Sequence, residues 1–219
     1  ALPEFIHQLY ALCKKYGILF ISDEVQQGFF RNNHWFGIEN FNVVPDGVIL
    51  GKSLGAGLVL GAFMAKSEII DSLQAPAHAF TLAGHQLACA AGIAQFDYLT
   101  TNEFKSILSC NTKLLKELIA QTINEMGHSI IQFAHGSGMS YGISIVNPFT
   151  RIPDVDATHK VVYRCYEYGL LMISVAGNIL RIQPPLNISR DNLIRGFEIL
   201  NQAVYDVEKG LVPDNVLEY

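Results

Sequence analysis

Apolar residues change their rhythm several times along this chain, and each rhythm implies an element. Over residues 3–16, Phe5, Leu9, Leu12 and Tyr16 recur at spacings of three and four, the period of one helix face. Lys14 and Lys15 sit near the end of that stretch, and Gly17 follows as a stop. Ile18-Leu19-Phe20-Ile21 then runs without alternation into Ser22-Asp23-Glu24. Such a run suits a strand buried on both faces, as in a parallel sheet. Val48-Ile49-Leu50 predicts a second strand ending at Gly51-Lys52-Ser53, and Ala62–Ala65 predicts a third. A short helix is expected over 67–73, and a small-residue helix from Gly84 to Thr100. A longer amphipathic helix is expected over 103–126, striped by Ile107, Leu114, Leu115, Leu118 and Ile119.

Beyond Gly127 the texture changes. Short strands at 139–146, 170–174 and 179–182 alternate with helices at 156–168 and 190–209, and Pro184-Pro185 closes the last strand. The pattern reads as α/β to about residue 100 and as α+β after it.

Composition narrows the classes. The chain has 219 residues, enough for one large domain or two small ones. Half of them are hydrophobic and 16% are charged, which excludes a disordered chain. Fifteen Lys and Arg against 20 Asp and Glu give a net charge of −5, with no basic tract, so no nucleic-acid partner is expected. The most apolar window, Leu54 to Ala65, is shorter than the roughly 20 residues that span a bilayer, so no membrane partner is expected either. Cys13, Cys89, Cys110 and Cys165 lie far apart and none forms a CxxC pair. Reduced, mostly buried thiols in a cytoplasmic protein are the expectation. The seven histidines show no HxxxH or HExxH spacing, so no metal is assigned. Gly51-Lys52-Ser53 looks like the end of a phosphate-binding P-loop, but the earlier glycine that motif requires is missing.

Two polar residues stand at the ends of apolar strands: Asp23 after Ile18–Ile21, and Lys52 after Val48–Leu50. Ligands of open α/β sheets bind at the carboxyl ends of the strands, so an acid and an amine are expected at one crevice. On spacing alone a structural ion pair is the favoured explanation of the two. The chemical reading is more specific. A lysine amine forms a Schiff base with an aldehyde cofactor, and pyridoxal 5'-phosphate is the usual one. That cofactor acts as an electron sink while its ring nitrogen stays protonated, and a neighbouring carboxylate favours the protonated form.

Ile21-Ser22-Asp23-Glu24-Val25-Gln26-Gln27-Gly28-Phe29, Pro45-Asp46 and Gly51-Lys52-Ser53-Leu54-Gly55 together resemble the class III aminotransferases of pyridoxal-phosphate fold type I. That family includes 4-aminobutyrate and ornithine aminotransferases. Thr81-Leu82-Ala83-Gly84 with Leu87-Ala88-Cys89-Ala90-Ala91 resembles the family's phosphate-contacting turn and the helix after it. Asn178-Ile179-Leu180-Arg181 with Pro184-Pro185-Leu186 resembles its carboxylate-binding strand. The resemblance runs essentially from end to end. It implies that residues 1–102 form the C-terminal part of the large cofactor-binding domain and 103–219 an α+β small domain. It implies that Lys52 forms the internal aldimine and shuttles the proton at Cα, and that Asp23 holds the pyridinium proton. It implies too that Val25 packs on the ring face, that Gln26 bonds the ring-hydroxyl side, that Thr81 holds the phosphate across a homodimer interface, and that Arg181 clamps a substrate carboxylate. Thr81 as a helix cap and Arg181 as a surface residue are the plainer alternatives. His78 and His85 flank Thr81, at the site or at its rim.

The resemblance also places Ala1 near the middle of a class III chain. The glycine-rich phosphate cup, the ring-stacking aromatic and an active-site Glu fall in the half before it. An incomplete parallel sheet is expected to leave an apolar edge uncovered. Within the motifs, Phe30-Arg31-Asn32-Asn33, His85-Gln86 and Leu58-Val59 stand where the family has Gly-Arg-Thr-Gly, Asn-Pro and Leu-Pro. Three functions follow as alternatives. An aminotransferase moves an amino group from an amino acid or ω-amino acid to a 2-oxo acid. An amino-acid epimerase, similar to isoleucine 2-epimerase over 75–78, 80–81 and 176–181, returns the proton to the opposite face of Cα. The third is an inactive half-length remnant.

Overall fold

A computed structural model describes residues 1–77 and 79–218, with the side chains of 217 and 218 left aside. The chain divides into two compact units, Ala1–Lys105 and Ser106–Tyr219.

The first unit opens with helix α1 (Pro3–Lys15). Proline stands at its first position, where a missing N–H loses nothing, and Gly17 beyond its end takes φ +65°. Three strands follow as one sheet in the order β1 (Ile21–Asp23), β2 (Gly47–Leu50), β3 (Ala62–Ala65). β1 and β2 are parallel, with Asp23 opposite Ile49, and β3 is antiparallel to β2. Short helix α2 (Ser67–Ile70) and helix α3 (Gln86–Thr100) complete the unit, which ends in the first turns of α4 (Asn102–Asn124).

Asp46 ties the starts of β1 and β2 to the end of antiparallel β3. Its buried carboxylate accepts from Lys14 Nζ at 2.6 Å, Phe20 N at 3.0 Å and Lys66 Nζ at 3.2 Å. The Lys14 ammonium, then the Phe20 N–H, hold its carboxyl well below the usual carboxylate range, against the opposing effect of burial.

Ile18–Ile21 departs from expectation. The strand begins only at Ile21, and Ile18 and Leu19 are more than half exposed. β1 is an edge strand with a neighbour on one side, so this apolar run has less to pack against than a central parallel strand has.

The second unit carries a four-stranded antiparallel sheet in the order β4 (Ile131–Ser137), β5 (Ser140–Ile145), β7 (Ile179–Ile182), β6 (Ile173–Val175). Helix α5 (Val155–Glu167) packs on it, and helix α6 (Arg190–Glu208) packs against α5. Both start at a side-chain cap: Asp154 accepts from Ala157 N and Ser189 from Asn192 N. Ile143, Ile145, Val161, Cys165, Leu180, Leu200 and Val204 form its core. Burial pushes the Cys165 thiol up to about 12. β4 is absent from the sequence-based expectation because Gln132 and His135 interrupt its apolar pattern and most of its residues are exposed. Of the four cysteines, Cys13 and Cys165 are buried, Cys89 is half-buried and Cys110 is exposed.

Candidate active site

Asp23 is the last residue of β1, and Lys52 lies two positions beyond the end of the parallel neighbour β2. Both are therefore at the carboxyl end of this sheet. They make no ion pair with each other among the described residues, which removes the structural-pair alternative. Asp23 Oδ1 instead accepts from Val25 N at 3.0 Å, and the carboxylate is exposed. The next residue has the opposite role. Glu24 is buried and accepts from Ser22 Oγ, Gly37 N and Ile38 N at 2.8–2.9 Å. One acid is left outward, while its neighbour anchors the following loop.

Val25 lies over Gly51, where a Cβ would meet its Cγ1 at 3.4 Å. Gln26 Oε1 accepts a hydrogen bond of 2.5 Å from Lys52 Nζ. Lys52 itself adopts φ +43°, a left-handed conformation uncommon for a residue with a Cβ. It opens a 3-10 turn, Lys52–Gly55, beside a cavity of about 620 Å³ that Lys52, Ser53, Gly57, Leu60 and Gln95 help to line.

Thr81 stands in an exposed turn over 81–84, and α3 takes its N-cap from His85 rather than from Thr81. Phe80, Leu82, His85 and Leu87 from this segment line a second, apolar cavity of about 810 Å³ with Val59 and Phe63. Val59 is 94% exposed, Leu82 71% and Phe80 69%. His78 lies outside the described residues.

Arg181 is in the second unit, on β7 and half-buried. Its Nε and Nη2 both donate to Gln183 Oε1, the former at 2.7 Å, and Gln183 Nε2 donates to Ser140 Oγ at 2.7 Å. Gln183 and Ser140 are new partners here. Gln183 was legible in principle, since it continues the extended run just past β7 and residues two apart in extended chain share a face.

The loop after Gln27 explains one departure from the family motif. Phe30, where the family has glycine, takes φ +67° and is buried, with its ring 4.5 Å from Trp35 and 5.7 Å from Phe104 between centroids. Aromatic burial offsets a backbone conformation that glycine adopts freely.

The structure thus brings Asp23, Val25, Gln26 and Lys52 together and holds Thr81 and Arg181 on other elements. An amine, a carboxylate, an amide and a branched apolar side chain at adjacent strand ends fit a ring cofactor that carries an aldehyde and a basic ring nitrogen. Among the described residues no group of three or more His, Cys, Asp or Glu could hold a metal, and no helix is long and apolar enough to cross a membrane.

The model of the family aminotransferase class-III matches residues 1–204. The chain is 36% identical to the leucine/methionine racemase of Thermococcus litoralis, over 99% of this chain and 48% of that protein. It is also 36% identical to the isoleucine 2-epimerase of Lentilactobacillus buchneri, over 95% of this chain and 46% of that protein. A transaminase crystal structure from the marine bacterium Virgibacillus superposes with a TM-score of 0.86 at 25% identity, covering 96% of this chain and 50% of that one. The chain spans about half the length of the curated relatives it matches.

Proposed function

The chain belongs to the class-III aminotransferase family, whose fold is pyridoxal-phosphate fold type I and whose cofactor is pyridoxal 5'-phosphate, and we propose that it supplies the lysine-bearing part of an enzyme that moves an amino group from an amino acid or ω-amino acid to a 2-oxo acid. The observation that carries this reading is the placement of Lys52 and Asp23 at the carboxyl ends of two neighbouring parallel strands.

The cofactor, when bound, supplies an electron sink for the pair left as a proton leaves the substrate carbon. Lys52 Nζ would hold the cofactor through its aldehyde carbon, and once the substrate amine had replaced it on that carbon the released amine would stand at the strand end to accept the substrate-carbon proton. The Asp23 carboxylate holds the proton on the ring nitrogen, Val25 covers one ring face and Gln26 bonds beside the ring hydroxyl. Thr81 binds the phosphate, and Arg181 binds a substrate carboxylate with the guanidinium edge that Gln183 leaves available. In this reading residues 1–102 are the C-terminal part of the large domain and 103–219 the small domain. A second copy of the chain covers the Thr81 turn, and the exposed Val59, Phe80 and Leu82 support that homodimer.

Racemisation or epimerisation is the second reading. It is favoured by the racemase and the epimerase at 36% identity. It uses the same Lys52 and Asp23, with the proton returned to the opposite face and no 2-oxo acid consumed. The discriminating experiment offers a single-enantiomer amino acid with and without 2-oxoglutarate. Consumption of the oxo acid supports transamination, and loss of optical rotation without it supports racemisation. An absorbance band with added pyridoxal phosphate that is trapped by borohydride on Lys52 supports both. Absence of that adduct from Lys52 in this chain attaches both readings to a longer or complemented protein, and its absence there as well overturns both and leaves the inactive remnant.

A further inference from the structure

The turn that carries Lys52 is held from behind by one helix. Gln95 on α3 donates from Nε2 to the Ser53 carbonyl at 2.5 Å, and Gln95 lines the same cavity as Lys52. One turn earlier on α3, a Cβ at Gly92 would lie 2.6 Å from the Leu54 carbonyl oxygen, closer than any side chain tolerates. The helix backbone therefore rests directly on the turn, at the two residues that follow Lys52. Within the turn, Leu54 N bonds Gly51 O at 2.9 Å and Ala56 N bonds Ser53 O at 3.1 Å. The Ser53 carbonyl thus accepts from both Ala56 and Gln95, which uses both of its lone pairs.

This support bears on Lys52 because Lys52 is in a left-handed conformation, which persists only where surrounding contacts over-determine it. Relaxation of φ toward the ordinary right-handed region swings the side chain away from Gln26. Gln95 and Gly92 touch neither Lys52 Nζ nor Gln26 in the contacts above. They act through the backbone at 53 and 54.

We propose that Gln95, with the close approach permitted by Gly92, is a positioning residue for Lys52: it pins the Ser53 carbonyl so that the Lys52 amine is presented at Gln26. The consequence for catalysis rests on Lys52 being the cofactor-attaching amine, whereas the positioning itself does not.

Two readouts separate these claims. The first is the side-chain amide resonance of Gln26 in the intact protein without cofactor, identified by its loss in Gln26→Leu. Its position in Lys52→Met marks the state without the amine contact. Gln95→Met, which keeps length and removes the donor, is expected to move the Gln26 resonance most of the way to that position. Gly92→Ala is expected to do the same by pushing on the Leu54 carbonyl, and it serves if Gln95→Met folds poorly. A Gln26 resonance that stays at its wild-type position in a folded variant overturns the proposal. The second readout is the rate of borohydride-fixed attachment of pyridoxal phosphate at Lys52, measured by peptide mass spectrometry relative to Lys66 and Lys105 in the same molecule. It is expected to fall about tenfold in Gln95→Met, with the reference lysines unchanged. A general loss of structure instead raises all three lysines together. If Lys52 in the wild-type protein reacts no faster than Lys66 and Lys105, the cofactor reading fails, and the amide resonance still decides the positioning.

Discussion

Lys52 Nζ donates to Gln26 Oε1 at 2.5 Å, joining a side chain just beyond β2 to one just beyond β1. The amine is therefore oriented by an uncharged partner, with Asp23 left unpaired by it and turned to solvent. Removal of the amine should disturb little else. Lys52→Ala is expected to abolish the borohydride-fixed cofactor adduct and to lower turnover by roughly 100- to 10,000-fold, the usual contribution of a positioned base. Its thermal midpoint should stay close to wild type, as scanning calorimetry would show.

Asp23→Asn separates charge from structure. The amide oxygen still accepts from Val25 N, so the fold is expected to hold. Without the carboxylate, the ring nitrogen of a bound cofactor loses the charge that keeps its proton. Turnover should fall at least tenfold with the cofactor still attached to Lys52. Normal turnover in Asp23→Asn would show that this carboxylate does not serve the ring.

Asp46 predicts a dependence on pH. Its folded carboxyl lies well below the ordinary value of 3.8, chiefly through Lys14 and then the Phe20 N–H. A group depressed on folding contributes its stability in full above its ordinary value and loses it as pH falls through the folded one. Acidification below about pH 4 is therefore expected to destabilise the first unit, by protonating Asp46 against its lysines. Asp46→Asn should lower stability at pH 7 and flatten that acid limb, as read from thermal midpoints across pH 2–7.

Phe30 sets a conformational penalty against packing. A left-handed residue with a Cβ costs about 1–2 kcal/mol, and truncation of a buried phenylalanine costs about 3–5 kcal/mol. Phe30→Ala loses the ring and keeps the strain, whereas Phe30→Gly loses both. Both should destabilise, with the glycine variant about 1 kcal/mol the more stable. Denaturant unfolding that places alanine above glycine would remove the strain from this account.

Arg181 and Gln183 predict a split in kinetics. Hydrogen bonds to a charged group contribute about 1.5–3 kcal/mol. In the enzyme that contains this chain, Arg181→Lys is expected to raise KM for a carboxylate-bearing substrate about 10- to 100-fold. A simple amine lacking the carboxylate should be nearly unaffected. Equal losses for the two substrates would dissociate Arg181 from carboxylate binding.

What the order of residues determined by itself is the set of local elements and the chemistry at their ends. Helical spacing placed α1, α4 and α6 to within a few residues, and apolar runs located β2, β3 and β7. An acid and an amine after such runs were legible as a crevice pair, because strand ends are where an open sheet exposes polar groups. Family motifs added expected roles for Val25, Gln26, Thr81 and Arg181. The tertiary structure decided the rest, and each case turns on contacts between residues distant in sequence. It showed that the uncovered apolar edge already expected falls at Ile18 and Leu19, that β4 completes a sheet despite its polar residues, and that Phe30 takes a glycine-like conformation inside an aromatic cluster. It also placed Gln95 on the Ser53 carbonyl, 42 positions away, and Gln183 between Arg181 and Ser140. Periodicity reports which face of an element is apolar; it holds no record of which distant backbone oxygen a glutamine will reach once the elements pack.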